Sequence, residues 1–463
     1  MKLQDTLSNH EKELEIAQKV RIYLCGVTVY DESHIGHART IIVFDVLRRY
    51  LESKNIEVNF IQNFTDVDDK IINRAKLENL SAEQISTKYI EHYFSDFDGL
   101  NVKRATNYPK ATEHIQDILD FIQRLIEKGI TYVSENGVYF SVSKFPTYGK
   151  LSKKHIDELQ SGARIEVDEA KKDPLDFAVW KFSEIEPTWD SPWGKGRPGW
   201  HIECSAMSIK YLGENFDIHG GGRDLIFPHH ENEIAQSESF TQNQFAKIWM
   251  HVGMVTINGE KMSKSLGNIK SIKHVLDNWG PNIIRLFCLS GHYSKPIDYS
   301  EDLLKENLIK WRQVETAYYE LIHAIGTNSD ENVTELVQKL GKDFDESLED
   351  DFNTHLALSA FFALVKEANK LAAENHLGAI ESKTIMPELQ RMLDILGLNI
   401  PKISLEQKQG IDKMINDRET LRKEKQFSEA DKIRDNLNEM NVELIDHRGK
   451  TIWMKKEQIK ADL

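Results

Sequence analysis

The tightest constraint on this chain lies between residues 21 and 53, where a strand runs almost directly into a helix. Arg21-Ile22-Tyr23-Leu24 is apolar and β-prone, the composition of a short buried strand. From Ala38 to Ser53, Ile41, Ile42, Val46, Leu47 and Leu51 recur at helical spacing, with Arg48, Arg49 and Glu52 opposite. Such a crossing predicts an open parallel sheet, whose ligands bind beyond the carboxyl ends of the strands. The connector offers Gly36, which lets a flat ring or a phosphate approach the backbone. His34 and His37 flank it and can donate to phosphate oxygens, and the free N–H groups of the helix start favour an anion. Cys25 stands at the strand end, facing the same crevice. Two histidines three apart at a helix start are more often structural than catalytic, so this stretch alone decides nothing.

A second stretch, Gly259 to Gly267, sets Lys261 and Lys264 and the serines Ser263 and Ser265 between two glycines. Its glycines predict a mobile loop and its cations suit a polyphosphate; a solvated basic turn is the plain alternative. Together, His34-Ile35-Gly36-His37 and Lys261-Met262-Ser263-Lys264-Ser265 resemble the paired signatures of the class I aminoacyl-tRNA synthetases, in the same order. The resemblance implies that His34, His37, Lys261 and Lys264 are catalytic and, with Gly36, bind ATP, which Mg2+ accompanies.

Three cysteines in 463 residues argue against a disulfide scaffold and fit a reducing, cytoplasmic compartment. Cys25 and Cys204 fall at crevice positions. His229 and Glu233 are four apart in a helix-like run, on one face. Thiolate, imidazole and carboxylate are zinc donors, but there is no CxxC pair, and spacing alone does not establish a metal. The runs Gly196 to Met207 and Phe216 to Asp224 narrow the resemblance to the cysteinyl branch of the class. That branch implies one Zn2+ per chain, held by Cys25, Cys204, His229 and Glu233. Zinc is borderline-soft and favours thiolate over hydroxyl, so such a site would accept cysteine and reject serine. An apolar pocket separates near-isosteres by only about 100-fold, which explains how a chain without a large editing insertion could be selective. Thr65 and Trp200 are the candidates for contacting cysteine. Cys288, in an apolar run, is expected in the core. Gly220-Gly221-Gly222 lacks the Lys-Ser/Thr of a phosphate-binding loop and is expected to form a tight turn approaching a nucleoside. Val27 stands where the family usually has proline, and Ser294-Lys295 where it has Arg-Ser; neither touches a proposed ligand.

The expected fold is α/β: a Rossmann-like class I synthetase catalytic domain with a parallel sheet, a short connecting insertion, a helical bundle and a small mixed α/β C-terminal anticodon-binding domain. Residues 1–110 are expected to form the first catalytic half and 111–195 the insertion. The second half with the signature loop takes 196–280, a stem-contact linker 281–305, the bundle on the anticodon side 306–400, and the anticodon-recognition domain 401–463. Strand and helix alternate from Arg21 to Asn107, with Val58 to Phe64 the second strand and the aspartates after Thr65 as helix caps. Leu303, Leu308, Trp311, Val314 and Tyr318 make one amphipathic stripe and Leu356 to Leu371 another. Ile411 to Asn441 reads as a charged helical stretch, followed by strands at Val442–Ile445 and Lys450–Trp453.

The net charge of −15 does not advertise a nucleic-acid binder, but residues 402–463 are nearly neutral and lysine-rich, which permits RNA binding there. The stretch Arg422 to Arg434 resembles the family's anticodon-reading helix. Phe427 offers a stacking face, Arg422 and Asp431 suit base edges, and Lys423, Lys425 and Lys432 suit phosphates. A solvated helix with Phe427 packed inward is the alternative. No run of 18 apolar residues exists and Met1 to Glu15 does not look like a signal peptide, so no membrane is expected. The resemblance implies tRNA(Cys), L-cysteine and ATP as partners of a monomer that ligates cysteine to tRNA through cysteinyl-adenylate. Two alternatives stay open: a related ligase that joins cysteine to an amino sugar, disfavoured by residues 401–463, and a catalytically silent zinc- and RNA-binding regulator, disfavoured by the intact His34, His37, Lys261 and Lys264.

Overall fold

The computed structural model describes residues 1–15, 18–154, 170–262, 267–325, 331–401, 403–447, 450–457 and 459–460. A polar hairpin, β1 (Lys2–Asp5) and β2 (His10–Glu13), precedes β3 (Lys19–Thr28). The helix Ile35–Ser53 and β4 (Glu57–Thr65) follow. The central sheet has the order β10-β9-β3-β4, all parallel, with β9 at Phe216–Gly222 and β10 at Ala246–Val252.

β3 is apolar and buried from Ile22 to Cys25 because both faces of the sheet are covered there. Val20, Ile22 and Leu24 enter one core, with Ile41, Val46 and Leu47 of the helix Ile35–Ser53. Tyr23 and Cys25 enter the other, with Ile118 and Ile122 of the helix Ile115–Glu127, Ile202 and Cys204 of the helix Trp200–Leu212, and Ile234 of the helix Glu231–Thr241. The two-residue strand period thus decides which helices Cys25 meets.

The expected insertion carries an antiparallel sheet: β5 (Thr131–Ser134), β6 (Gly137–Phe140), β7 (Phe177–Phe182) and β8 (Gly196–Pro198). Its last strand pairs with β7 and lies just past the expected boundary at 195, leading straight into Trp200. Asp68 caps the next helix of the catalytic half, accepting from the Lys70 N–H at 2.8 Å. The glycine triplet is not a turn. Gly220, Gly221 and Gly222 are strand residues of β9 paired with Met250, His251 and Val252. Side chains there would strike the ring of Phe44 at Gly220 and that of His230 at Gly221, so close packing rather than a bend demands glycine.

After the short strands β11 (Val255–Ile257) and β12 (Glu260–Lys261), the helix Ile272–Leu289 leaves the signature loop. It does not end at residue 280. It kinks at Gly280 (φ 74) beside Pro281 and continues, the usual cause of such a bend. β13 (Ile297–Asp298) pairs with β11. The bundle then begins at Glu301, ahead of the expected 306, with the helices Glu301–His323, Glu331–Glu349, Thr354–Ala373 and Ala379–Leu396. The charged stretch near the C-terminus is a pair of helices, Leu405–Lys423 and Phe427–Glu439, split where Lys425 takes a left-handed conformation (φ 63). β14 (Val442–His447) and β15 (Lys450–Lys455) form the closing antiparallel pair.

Arg285, fully buried in the second half of the kinked helix, joins catalytic sheet to bundle. It donates to Asp45 Oδ2 at 2.7 Å, to the Leu100 carbonyl at 3.1 Å and to the Leu396 carbonyl at 2.9 Å. Asp45 also accepts from Arg49 at 2.8 Å. Gly397, in a left-handed conformation (φ 67), leaves the room that the guanidinium fills. Removing one partner of a buried pair strands the other charge and two carbonyls, a loss of about 3–5 kcal/mol. Arg285→Met is therefore expected to lower stability by several kcal/mol, read as a lower urea midpoint; an unchanged midpoint would show that the contact between sheet and bundle does not depend on this group.

Candidate active site and metal cluster

His34 ends the connector as the N-cap of the helix Ile35–Ser53, with extended backbone (φ −124, ψ 169). Its Nδ1 accepts from the Gly36 N–H at 3.1 Å, and the His34 N–H donates to His37 Nδ1 at 3.3 Å. The two rings stack 3.7 Å apart. A neutral imidazole that accepts at Nδ1 carries its proton on Nε2. Both histidines are thus held as Nε2–H donors at the positive end of a helix.

The two signature stretches are tied together at their bases. The Ile35 N–H donates to the Lys270 carbonyl at 3.0 Å and the Ile272 N–H to the Ser33 carbonyl at 2.9 Å. Met262 packs towards Gly36. Lys261 lies on β12, paired with Thr256. Lys264, Ser263, Ser265 and Leu266 lie outside the described residues.

His34, Gly36 and His37 line a cleft of about 410 Å³, together with Cys25, Trp200 and Lys70. Gly222 and Asp224, after β9, are part of the same wall. Gly26 brings β3 against β4: its N–H donates to Asn63 Oδ1 at 2.9 Å, and a side chain there would strike the Asn63 carbonyl. Lys70 was readable only as part of a capped helix start, yet it faces the cleft, 5.6 Å from the ring of Tyr30. Thr65 is elsewhere. It is buried at the end of β4, its carbonyl accepting from the Val29 N–H at 3.2 Å and its hydroxyl turned towards Glu203, and it does not line the cleft.

Behind the cleft, the predicted ligands come together. The donor atoms of Cys25, Cys204, His229 and Glu233 all lie within 4.8 Å of one another, and all four residues are buried. Cys25 Sγ is 3.8 Å from Cys204 Sγ and 3.3 Å from Glu233 Oε1. His229 Nε2 is 3.1 Å from Glu233 Oε1. Two sulfurs on one tetrahedral zinc, at bonds of about 2.3 Å, would stand about 3.8 Å apart, so the donor set fits such an ion. Burial, with Cys204 and Glu233 beside it, pushes the Cys25 thiol well up. The hydrogen bond with Cys25 pulls Cys204 down, but burial and the charge of Glu233 leave it raised. Burial holds His229 and His230 well below the ordinary imidazole range. A divalent cation would reverse this balance by drawing off the thiol protons.

Sequence reasoning missed the imidazoles around this group. His201 Nδ1 sits 2.9 Å from His229 Nδ1, leaving Nε2 of His229 for an ion. His219 Nε2 lies 2.8 Å from Glu233 Oε2, and His230 bridges Cys25 Sγ (3.3 Å) to His251 (2.8 Å). Cys25, His219, His230 and Glu233 form a second cluster of the same compactness. The signal was present in Phe216 to Asp224 and in the doublet His229-His230, but only the parallel sheet brings them to one place. Trp200 stacks on His229, ring centroids 4.1 Å apart, so the cleft and the cluster share a wall. Cys288 is buried in the core, as its apolar run predicts.

At the far end of the chain, Phe427 opens the helix Phe427–Glu439 with 57% of its surface exposed, not packed inward. Arg422, Lys423, Lys425 and Asp431 are exposed around it. Among the described residues no helix is long and apolar enough to cross a membrane.

The family model for the class I (C) tRNA synthetase catalytic domain matches residues 12–308, and that for the DALR domain residues 343–400. A cysteine–tRNA ligase of Thermodesulfovibrio yellowstonii is 48% identical over 486 residues, covering 98% of this chain and 100% of its own. One of Aquifex aeolicus is 46% identical over 491 residues, covering 99% of both. Among solved structures, methionyl-tRNA synthetase of Mycobacterium tuberculosis with methionyl-adenylate superposes with a TM-score of 0.62 at 14% identity, over 82% of this chain and 90% of that one. That last likeness speaks for the fold; the sequence matches, over nearly the whole length of each chain, show that this protein belongs to the cysteine–tRNA ligases of the class I aminoacyl-tRNA synthetase family.

Proposed function

We propose that the chain joins L-cysteine to tRNA(Cys) in two steps at this cleft. In the first, a cysteine carboxylate oxygen attacks the α-phosphorus of ATP, forming cysteinyl-adenylate and releasing pyrophosphate. In the second, a hydroxyl of the terminal tRNA ribose attacks the adenylate carbonyl and AMP leaves. The observation that carries this reading is the shared wall: Cys25 and Trp200 border the cleft of His34, Gly36 and His37 and also reach the buried cluster.

No covalent enzyme intermediate is needed, so the work is positioning and charge stabilisation. His34 and His37 donate from Nε2 to ATP phosphate oxygens, and Gly36 lets the nucleotide lie against the backbone. Lys261 and Lys264 balance the charge that grows as pyrophosphate departs, and Mg2+ enters with ATP. Trp200 covers the substrate side chain; Thr65 is the remaining candidate for contact with cysteine and would act from the end of β4. Cys25, Cys204, His229 and Glu233 would hold one Zn2+, which supplies a soft acceptor for the substrate thiolate and none for the hydroxyl of serine. His201 and His219 hold His229 and Glu233 in orientation, as outer partners of metal ligands do. Free cysteines of this kind belong in a reducing cytoplasm.

The helical tip at Phe427 suits a single-stranded anticodon loop. Its exposed ring gives a stacking face, Arg422 and Asp431 can bond base edges, and the lysines can meet phosphates.

Two measurements test the reading. Cys204→Ser should lose zinc and raise KM for cysteine together, by at least the roughly 10- to 100-fold that loss of a mere outer partner costs; full zinc content with a normal KM would refute the coordination. Phe427→Ala should lower kcat/KM for tRNA about tenfold, within the roughly 1–3 kcal/mol of one base stack. Cysteine-dependent ATP–pyrophosphate exchange, which needs no tRNA, reports whether the adenylation site of that variant is intact. Charging at the normal rate would move anticodon reading away from this helix.

A further inference from the structure

The helix Ile272–Leu289 consists of two halves with different attachments. The first half is capped by Ser271, which accepts from the His274 N–H at 3.2 Å, and its base is bonded to the connector at Ser33 and Ile35. Any tilt of this half therefore pulls on Ser33 and Ile35, the residues on either side of His34. The second half is fixed in the core by Arg285. Between them Gly280 (φ 74) and Pro281 make a joint, and few residues other than glycine adopt that conformation without strain.

The segment after β15 closes on this joint. Glu457 occupies the space beside Gly280 where a side chain would otherwise stand. Its Oε2 accepts from Asn282 Nδ2 at 2.8 Å, just beyond the joint. The Lys460 N–H donates to the Asn278 carbonyl at 3.2 Å, just before it. The same segment is held to the bundle: the Glu457 N–H donates to Glu315 Oε1 at 2.7 Å and its carbonyl accepts from Arg312 Nη2 at 3.0 Å. Arg312 Nη1 also donates to Glu315 Oε2 at 2.6 Å, and that carboxylate is fully buried. Asn282 in turn holds the end of the bundle through Asn399, at 2.9 Å in both directions. The Glu457 carboxylate braces the joint and its far side and the Lys460 N–H braces its near side, so together they set the joint's angle.

We propose that Glu457 is a positioning residue for ATP activation, clamping the Gly280 joint so that the first half of the helix Ile272–Leu289 keeps Lys270 and Ile272 bonded beside His34. The clamp continues directly from β15, so the domain that carries Phe427 is mechanically joined to the step that precedes tRNA charging. This inference rests on the function proposed above.

Cysteine-dependent ATP–pyrophosphate exchange on the full chain tests it, with zinc content and thermal melting measured on the same preparations. Glu457→Ala is expected to lower kcat about tenfold and raise KM for ATP, leaving KM for cysteine and zinc content unchanged. Glu457→Gln keeps an acceptor for Asn282 and should restore most of the rate. A purely structural role would shift the melting curve while kcat and KM for ATP of the folded enzyme stayed normal; that result, or equal losses towards cysteine and ATP, overturns the proposal. If Glu457→Ala does not fold, a chain ending at Glu457 loses the bond to Asn278 but keeps the carboxylate. It should raise KM for ATP about threefold, and unchanged constants there overturn the proposal as well. Wild-type protein without any cysteine-dependent exchange would instead refute the function on which it rests.

Discussion

One buried guanidinium holds the molecule's main parts in register. Arg285 is met by a carboxylate from the first catalytic helix, a carbonyl at the end of the helix Ala82–Gly99 and a carbonyl at the end of the last bundle helix. Burial lowers its affinity for a proton and the charge of Asp45 opposes that. A charge taken this far from water is tolerated only when it is paired and hydrogen-bonded. It ties the first catalytic helix, the second half of the kinked helix and the end of the bundle at one point.

Within that frame the chemistry follows from where single atoms are satisfied. The proton of each signature histidine is placed by backbone N–H groups that need an acceptor at the helix start. Capping the helix and presenting a donor to the cleft are therefore one act. On the other face of the sheet, the pleat turns Cys25 towards the helices that bring Cys204 and Glu233. The histidine-rich surround leaves the cluster without a single residue from solvent-exposed surface.

Much of this was legible in the chain. The strand-to-helix crossing at Arg21 to Ser53 has a periodicity that changes within a few residues, and both elements appear where that change places them. Cys25, Cys204, His229 and Glu233 could be named because a resemblance supplied what spacing could not. The rest depended on distance in space. Gly220 to Gly222 reads as a turn when glycine is taken for flexibility, but the rings of Phe44 and His230 impose it from outside the segment. His201 and His219 lie within the runs Gly196 to Met207 and Phe216 to Asp224 and His251 outside them, but only the fold shows which of them meet the cluster. Thr65 occupies the strand end expected of it, yet its side chain faces Glu203, because the strand's alternation at that point favours the covered side. The domain boundary expected at 280 falls inside the helix Ile272–Leu289, which kinks there at Gly280 and continues.

The cluster has a consequence for how the protein is made. Cys25 stands on β3 and Glu233, 208 residues later, on the helix Glu231–Thr241, and the two meet because β9 lies beside β3 although far from it in sequence. During synthesis the first thiol emerges long before its companions, and for that interval it has no buried place to occupy. The group is complete only where β9 lies paired beside β3. Its four donors therefore exist as a group only in the folded chain, and a change that parted β9 from β3 would scatter them without altering any of them.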